Sequence, residues 1–271
     1  MTRYKLDKYK DEIVNLYINE KLSCAKIANL YNAHLCGIYD ALKRWGIKTR
    51  NLSDSHKLYK VNDNYFKNID SEAKAYWLGF IYADGYITKP SNIGISLKDI
   101  DDVHLTKFLK CINSDYPINY YVSTGYGECR YARIIINSVQ MFNDLLLKGV
   151  KLKKSLILQF PDEQIVPKEF QLSFIRGYFD GDGSLILSEN SINIKLCGTK
   201  EFLCKVIEIF NEVSNYNFQN KLFKRHKDEK NNYYFSYGGR LKVISILSKL
   251  YDNANIFLDR KFEKYNKLIN S

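Results

Sequence analysis

Apolar residues recur at helical spacing three times in the first fifty positions. Ile13, Leu16 and Tyr17 come first; Ile27, Ala28 and Leu30 follow Ser23, a residue suited to cap a helix N-terminus; Ile38, Leu42 and Trp45 end at Gly46. Three short helices are expected within residues 9–46. The connection Tyr31-Asn32-Ala33-His34 is short enough to make the second and third cross. Residues 51–70 open polar and unpatterned and read as a linker between residues 1–50 and the rest.

Beyond the linker the pattern occurs twice. Tyr76-Trp77-Leu78-Gly79-Phe80-Ile81-Tyr82-Ala83-Asp84-Gly85 returns 98 residues later as Phe174-Ile175-Arg176-Gly177-Tyr178-Phe179-Asp180-Gly181-Asp182-Gly183. Each copy runs into an alternating stretch from Ser91 or Ser191, then a helical one, a hairpin-like aromatic region and a last helix. Both halves, 71–160 and 161–271, therefore read α-β-β-α-β-β-α, an α/β (α+β) class with internal pseudo-two-fold symmetry.

The repeated helix carries its own reason to lie near that axis. Gly79 and Ala83 are four apart, as are Gly177 and Gly181, so each helix has a smooth stripe that admits a second backbone closely. Each helix then ends in an acid, Asp84 or Asp182, followed by glycine. A carboxylate at the negative end of a helix dipole is poorly placed, and two brought together repel. A divalent cation beside them reverses that balance.

These residues resemble the LAGLIDADG motif. Trp77 to Gly85 matches its nine letters at Gly79, Ile81, Ala83, Asp84 and Gly85, and Ile175 to Gly183 matches at Gly177, Asp180, Asp182 and Gly183. One copy is a weak signal, because Asp-Gly is a common turn; two copies opening like-patterned units are a strong one. The chain over roughly residues 65–268 resembles the monomeric, double-motif LAGLIDADG homing endonucleases, and "GVKLKKSLILQFP", "FIRGYFDGDGS" and "YGGRLKVISILSKLYDNANIFLDRK" carry the likeness beyond the motif. The resemblance implies two half-domains whose sheets form a basic saddle in the major groove of double-stranded DNA. It implies Mg²⁺ held by Asp84 and Asp182, and basic residues near the phosphates, for which Lys154 (or its neighbour Lys153) and Lys261 are the candidates. Arg130, Arg133, Lys195, Lys221, Lys224 and Arg225 fall in the expected ribbons and are candidate DNA contacts, although a solvent-facing charge is the simpler account of each taken singly. Tyr82 departs from the motif where the second copy has Asp180, a position that in the family supports structure more than catalysis.

The first segment, "EKLSCAKIANLYNAHLCGIYDALKRWGIKTRN", resembles resolvase-like helix-turn-helix modules. By that resemblance Leu35 to Arg44 is the recognition helix, and Lys43, Arg44, Lys48 and Arg50 face phosphate or base edges. A helical bundle used for packing or protein contact is the alternative.

Composition sharpens this reading only modestly. The 271 residues include 41 Lys and Arg against 30 Asp and Glu, a formal charge of +11, but the many Asn, Ile, Lys and Tyr are what AT-rich coding would also produce. The location of the charge says more: residues 1–60 carry net +6 and residues 221–271 net +7, so both ends are basic. No apolar run approaches the ~20 residues of a membrane span, and the polar first ten residues lack a signal peptide's apolar core. A monomer in the cytoplasm, or in an organelle matrix holding its target DNA, is expected. Six cysteines without a CxxC pair suggest reduced core thiols. Three rivals stand beside a site-specific endonuclease: an intron maturase on the same fold, a DNA-binding regulator that has lost catalysis, and an intein. Retained acids speak against the regulator; Ile269, where splicing needs His, speaks against the intein.

Overall fold

The computed structural model describes residues 5–50, 58–124, 128–152, 156–188, 191–224 and 230–270. The chain divides into two compact units, Met1–Lys60 and Val61–Ser271.

In the first unit α1 (Lys10–Ile18), α2 (Cys24–Leu30) and α3 (Leu35–Arg44) form where the periodicity places them. Ile13, Tyr17, Ile27, Ala28, Ile38, Ala41 and Leu42 meet in one core with Leu6. Ser23 accepts the backbone N–H of Lys26 at 3.2 Å, the cap expected of it, and Gly46 at φ +75° lets the chain leave α3.

The second unit opens with residues that read as linker. Tyr65, Phe66 and Ile69 are buried, Tyr65 edge-on to Phe66 at 4.9 Å. Three apolar side chains spaced among polar ones have no regular period, which is why the pattern did not mark them as packed. Next come α4 (Glu72–Ala83), β1 (Gly85–Thr88), β2 (Asn92–Lys98), α5 (Asp102–Cys111), β3 (Asn119–Ser123), β4 (Cys129–Asn137) and α6 (Val139–Leu147), in full agreement with the expected first half. Their antiparallel sheet runs β1-β2-β4-β3. The second half repeats it with α7 (Gln171–Asp182), β5 (Gly183–Ser188), β6 (Ser191–Gly198), α8 (Lys200–Val213), β7 (Tyr233–Gly238) and α9 (Arg240–Tyr251), and adds α10 (Asp259–Asn270).

The repeat is incomplete at one place. Among the described residues the second sheet has three strands, β5-β6-β7, and where a fourth is expected there is a single bridge between Phe223 and Tyr234. The chain after α8 is tied back before it reaches the sheet: Asn211 accepts the Phe218 N–H at 2.6 Å and donates to the Phe218 carbonyl at 3.1 Å, and the Phe218 ring is buried. These side-chain bonds compete with a ladder.

In both sheets the strand period separates a helix-covered face from an accessible one. Ile93, Ile95 and Leu97 on β2 and Ala132, Ile134 and Ile136 on β4 are buried; the intervening Ser96, Tyr131 and Arg133 are not. Ile194 and Leu196 on β6 and Phe235 and Tyr237 on β7 are likewise buried, leaving Lys195, Tyr234 and Ser236 on the other face.

α4 and α7 form the centre of the unit. A Cβ built on Gly79 would overlap the carbonyl oxygen of Phe174, and one built on Gly177 would overlap that of Tyr76. The contact is reciprocal under the 98-residue shift, which relates Tyr76 to Phe174 and Gly79 to Gly177. Only glycine permits such an approach of backbone to backbone.

Candidate active site

The close helix pair brings the two acids to one place. Asp84 follows the last helical residue of α4, and Asp182 is the last of α7. Asp84 is half-buried and Asp182 exposed. Between them stands Gly181. A Cβ there would overlap the Cβ of Ala83 and lie 3.2 Å from Asp84 Oδ2, so glycine at this position is what lets the end of α7 pass this close to the end of α4. Gly79, Ala83, Gly177 and Gly181 thus all lie in the helix interface as the sequence led us to expect. The Tyr178 hydroxyl is buried and donates to the Cys197 carbonyl at 3.0 Å. Burial first, then the negative charges of Asp182 and Asp84, push it well above the usual tyrosine range. The two carboxylates offer hard oxygen donors, the kind Mg²⁺ takes.

Lys261, expected near a phosphate, is instead buried beneath the end of α7. Its ammonium donates to the carbonyls of Phe179, Asp180 (2.8 Å) and Gly183 (2.6 Å). Those carbonyls belong to the last turn of α7 and the residue after it, so the cation satisfies the helix's negative end. Burial, partly offset by the charge of Asp180, lowers its pKa to about 8. Lys153, Lys154 and Arg225 lie outside the described residues.

Asp180 is the buried group that the motif alone did not explain. Its carboxylate accepts from the Tyr76 hydroxyl at 2.7 Å, the Tyr251 hydroxyl at 2.5 Å and the Leu258 N–H at 2.7 Å. Tyr76 comes from α4 of the other half, so the bond crosses the interface. Since the one hydroxyl proton of Tyr76 goes to Asp180, His104 Nε2, 3.0 Å away, is the atom that donates to Tyr76. The bare Nδ1 of His104 is buried without a partner, and burial lowers the imidazole pKa to about 3, keeping it neutral. Nearby, Arg176 pairs with Glu72, also across the halves, and donates to the Leu250 and Ile256 carbonyls. The sequence signal for this network was available in the repeat itself, in the unlike pairs Tyr76/Phe174 and Tyr82/Asp180.

The candidate DNA contacts separate into two groups. Arg133 lies on the accessible face of β4, stacked over Tyr121 at 4.8 Å, with Tyr121 stacked on Tyr131 at 5.5 Å; its buried Nε has no partner. Lys195 lies over Tyr234 at 3.7 Å, Tyr234 stacks on Phe223, and Lys221 lies 5.3 Å over Phe223. Both accessible faces therefore interleave cations and rings. Arg130 belongs elsewhere: it shares the parity of buried Ala132, covers Tyr120 at 5.0 Å and approaches Asp99 at 3.9 Å. Lys224 lies over Tyr233, which shares the parity of buried Phe235.

In the first unit Lys43 and Lys48 are exposed. Arg44 and Arg50 are not turned outward. Arg44 pairs with Asp7, which also accepts from Trp45 Nε1 at 3.0 Å. Arg50 donates to the carbonyls of Tyr17 (3.1 Å), Lys21 (3.1 Å) and Leu22 (2.5 Å) and stacks on Tyr17 at 4.0 Å, closing the turn between α1 and α2. A sequence pattern cannot tell an arginine that fastens a small core from one that faces a groove. The cysteines are all free, but none is fully buried, and Cys36 is exposed. No described helix is long and apolar enough to cross a membrane.

Comparison with known proteins bears on the second unit. Residues 169–250, from just before α7 to the end of α9, match the family model described as LAGLIDADG-like domain. The homing endonuclease I-WcaI, solved bound to its DNA recognition sequence, shares the fold: 14% identity, 79% of this chain and 93% of that one covered, TM-score 0.51. Full-length DUF199/WhiA from Thermatoga maritima is 17% identical with a TM-score of 0.47, covering 77% of this chain and 64% of the other. A probable translation initiation factor IF-2 of Methanocaldococcus jannaschii is 25% identical over 206 residues, 61% of this chain. The matched stretch is 17% of that protein's length.

Proposed function

We propose that this protein is a site-specific, metal-dependent endonuclease of double-stranded DNA, a LAGLIDADG homing endonuclease acting as a monomer on a long asymmetric site. The observation that carries the reading is the convergence of Asp84 and Asp182 at the paired ends of α4 and α7, which Gly181 allows to meet closely. Asp84 and Asp182 would hold Mg²⁺, which when bound lowers the pKa of a water for attack on phosphorus and stabilises the departing oxygen. The protein's own part is positional. Gly79 and Gly177 fix the distance between the helix ends, and Lys261 fixes the last turn of α7. Arg133, Lys195 and Lys221, spread over ring faces on the accessible sides of the two sheets, supply phosphate contacts and stacking surfaces. The two sheets act together as a saddle in the major groove. The first unit adds a helix-turn-helix reader in which Lys43 and Lys48 meet DNA, while Arg44 and Arg50 hold the module together.

The test is incubation of the purified chain with an uninterrupted copy of the DNA locus in which its gene lies, with and without Mg²⁺. Double-strand cleavage is expected only with the metal. Asp84→Asn and Asp182→Asn should abolish it while a gel shift in Ca²⁺ shows binding retained, since the amide keeps the shape and loses the charge. Full cleavage by either variant removes that acid from the site. Binding without cleavage in any divalent metal would favour a regulator, and stimulation of intron splicing without cleavage a maturase. Removing residues 1–60 should weaken binding and flatten its salt dependence while leaving cleavage at higher protein concentration, because Val61–Ser271 is compact by itself.

A further inference from the structure

The glycine contacts at the centre of the helix pair are made by backbone: Gly79 meets the Phe174 carbonyl and the Tyr178 nitrogen, and Gly177 meets the Tyr76 carbonyl and the Phe80 nitrogen. Backbone is the same in both halves. These contacts would serve equally a first half against a second, two first halves or two second halves. Discrimination must come from side chains at the corners, where the 98-residue shift pairs Tyr76 with Phe174 and Tyr82 with Asp180. At one corner the Tyr76 hydroxyl donates to Asp180 at 2.7 Å. At the other, the corresponding Phe174 and Tyr82 meet as rings, edge to face at 5.0 Å, and the Tyr82 hydroxyl turns away to the Lys148 carbonyl at 2.5 Å.

We propose that Tyr76 and Asp180 are a pairing key, by which the α7 surface accepts an α4 surface and refuses a second copy of itself. In a pair of second halves each Asp180 would face a Phe174, and a fully buried carboxylate would lose one of its three donors at both corners. In a pair of first halves each Tyr76 would face a Tyr82 and lose its carboxylate acceptor. Buried polar groups deprived of partners are the usual means by which an interface rejects a near-identical competitor. The arrangement that gives Asp180 its three donors and Tyr76 its acceptor is the one in which unlike halves meet. A chain built from two similar halves needs such a device, because its neighbours in solution offer the same glycine stripes. This inference concerns assembly and holds whether or not the chain cuts DNA.

The test uses the full chain with a protease site placed in the exposed turn at Glu163-Gln164, cleaved after folding. Native mass spectrometry of the cut protein, diluted and reconcentrated, should show first halves paired with second halves alone. The variant Tyr76→Phe/Asp180→Tyr, which makes both corners alike, should give like pairs approaching the statistical one-half share. Like pairs at that share with the original residues would overturn the key, as would a variant that forms only unlike pairs. In the uncut chain, urea unfolding of Tyr76→Phe, Asp180→Asn and the double variant supplies an independent measure. The double variant is expected to be at least tenfold more stable, in its unfolding constant, than the sum of the singles requires. Additive singles would overturn the proposal.

Discussion

Among the described residues, the two motif helices end alike in backbone and differ at the position that Tyr82 and Asp180 share. Beneath α7 lies an ammonium, Lys261, that takes three carbonyls, and beside it the carboxylate of Asp180 with three donors. At the end of α4 the position of Asp180 is taken by Tyr82, whose hydroxyl reaches the Lys148 carbonyl and whose ring packs on Phe174. Repetition thus preserved what the pair needs from both sides, close approach and an acid at each tip, and placed unlike side chains at Tyr82 and Asp180. The second half built a buried polar network and an additional helix, α10, that carries Lys261.

The shared feature should break hardest. Gly79→Leu and Gly177→Leu each drive a branched side chain into the facing helix backbone, which cannot move aside as a side chain would. The loss should exceed the ~1–3 kcal/mol of ordinary overpacking, and unfolding of the second unit is the expected outcome for both. Circular dichroism and urea midpoints would check this. A stable Gly177→Leu protein beside an unfolded Gly79→Leu would mean that the approach is not reciprocal.

The unlike supports should respond unequally. Lys261→Met keeps the length of the chain but orphans three carbonyls at a buried helix end, a loss on the order of 3 kcal/mol. Tyr82→Phe removes one hydroxyl from one carbonyl and keeps the ring, a loss of about 1 kcal/mol. Urea unfolding of the two variants side by side would sharpen the contrast. Equal losses would show that the buried network contributes no more than the single tyrosine bond.

How much of this was legible beforehand follows the same division. The helices of the first unit, the repeat and the glycine and acid positions are set by local period and by identity between copies, so Gly79, Gly177, Asp84 and Asp182 stand where the pattern placed them. Features decided by long-range partners were not legible. Arg50 reads as an outward charge, yet it is enclosed by three carbonyls; Arg130 is exposed but shares the helix-side parity of its strand. Among the described residues the second sheet lacks a fourth strand, and the nearby closure of Asn211 on Phe218 is one that no alternation records. Lys261 was picked out as a cation near the site, but its direction, inward to carbonyls, depended on α10 packing under α7.

The smallest expected effect isolates the polar corner by pH. His104 on α5 supports Tyr76 there, and no ionisable group takes the corresponding place beside Phe174 in the described contacts. Burial, with the charges of Lys107 and Lys261 as minor contributors, holds its pKa near 3 against 6.5 in an unfolded chain. Between those values the unfolded state binds a proton that the native state does not. Stability is therefore fully present above about pH 6.5 and is lost as pH falls toward 3, at up to about 1.4 kcal/mol per pH unit from this group. His104→Gln keeps an N–H able to reach the Tyr76 hydroxyl and cannot titrate. Its urea midpoints between pH 6.5 and 5 should fall less steeply than those of the unaltered chain. Parallel slopes would show that acid sensitivity is spread over the carboxylates of both halves and that the polar corner has no titration of its own.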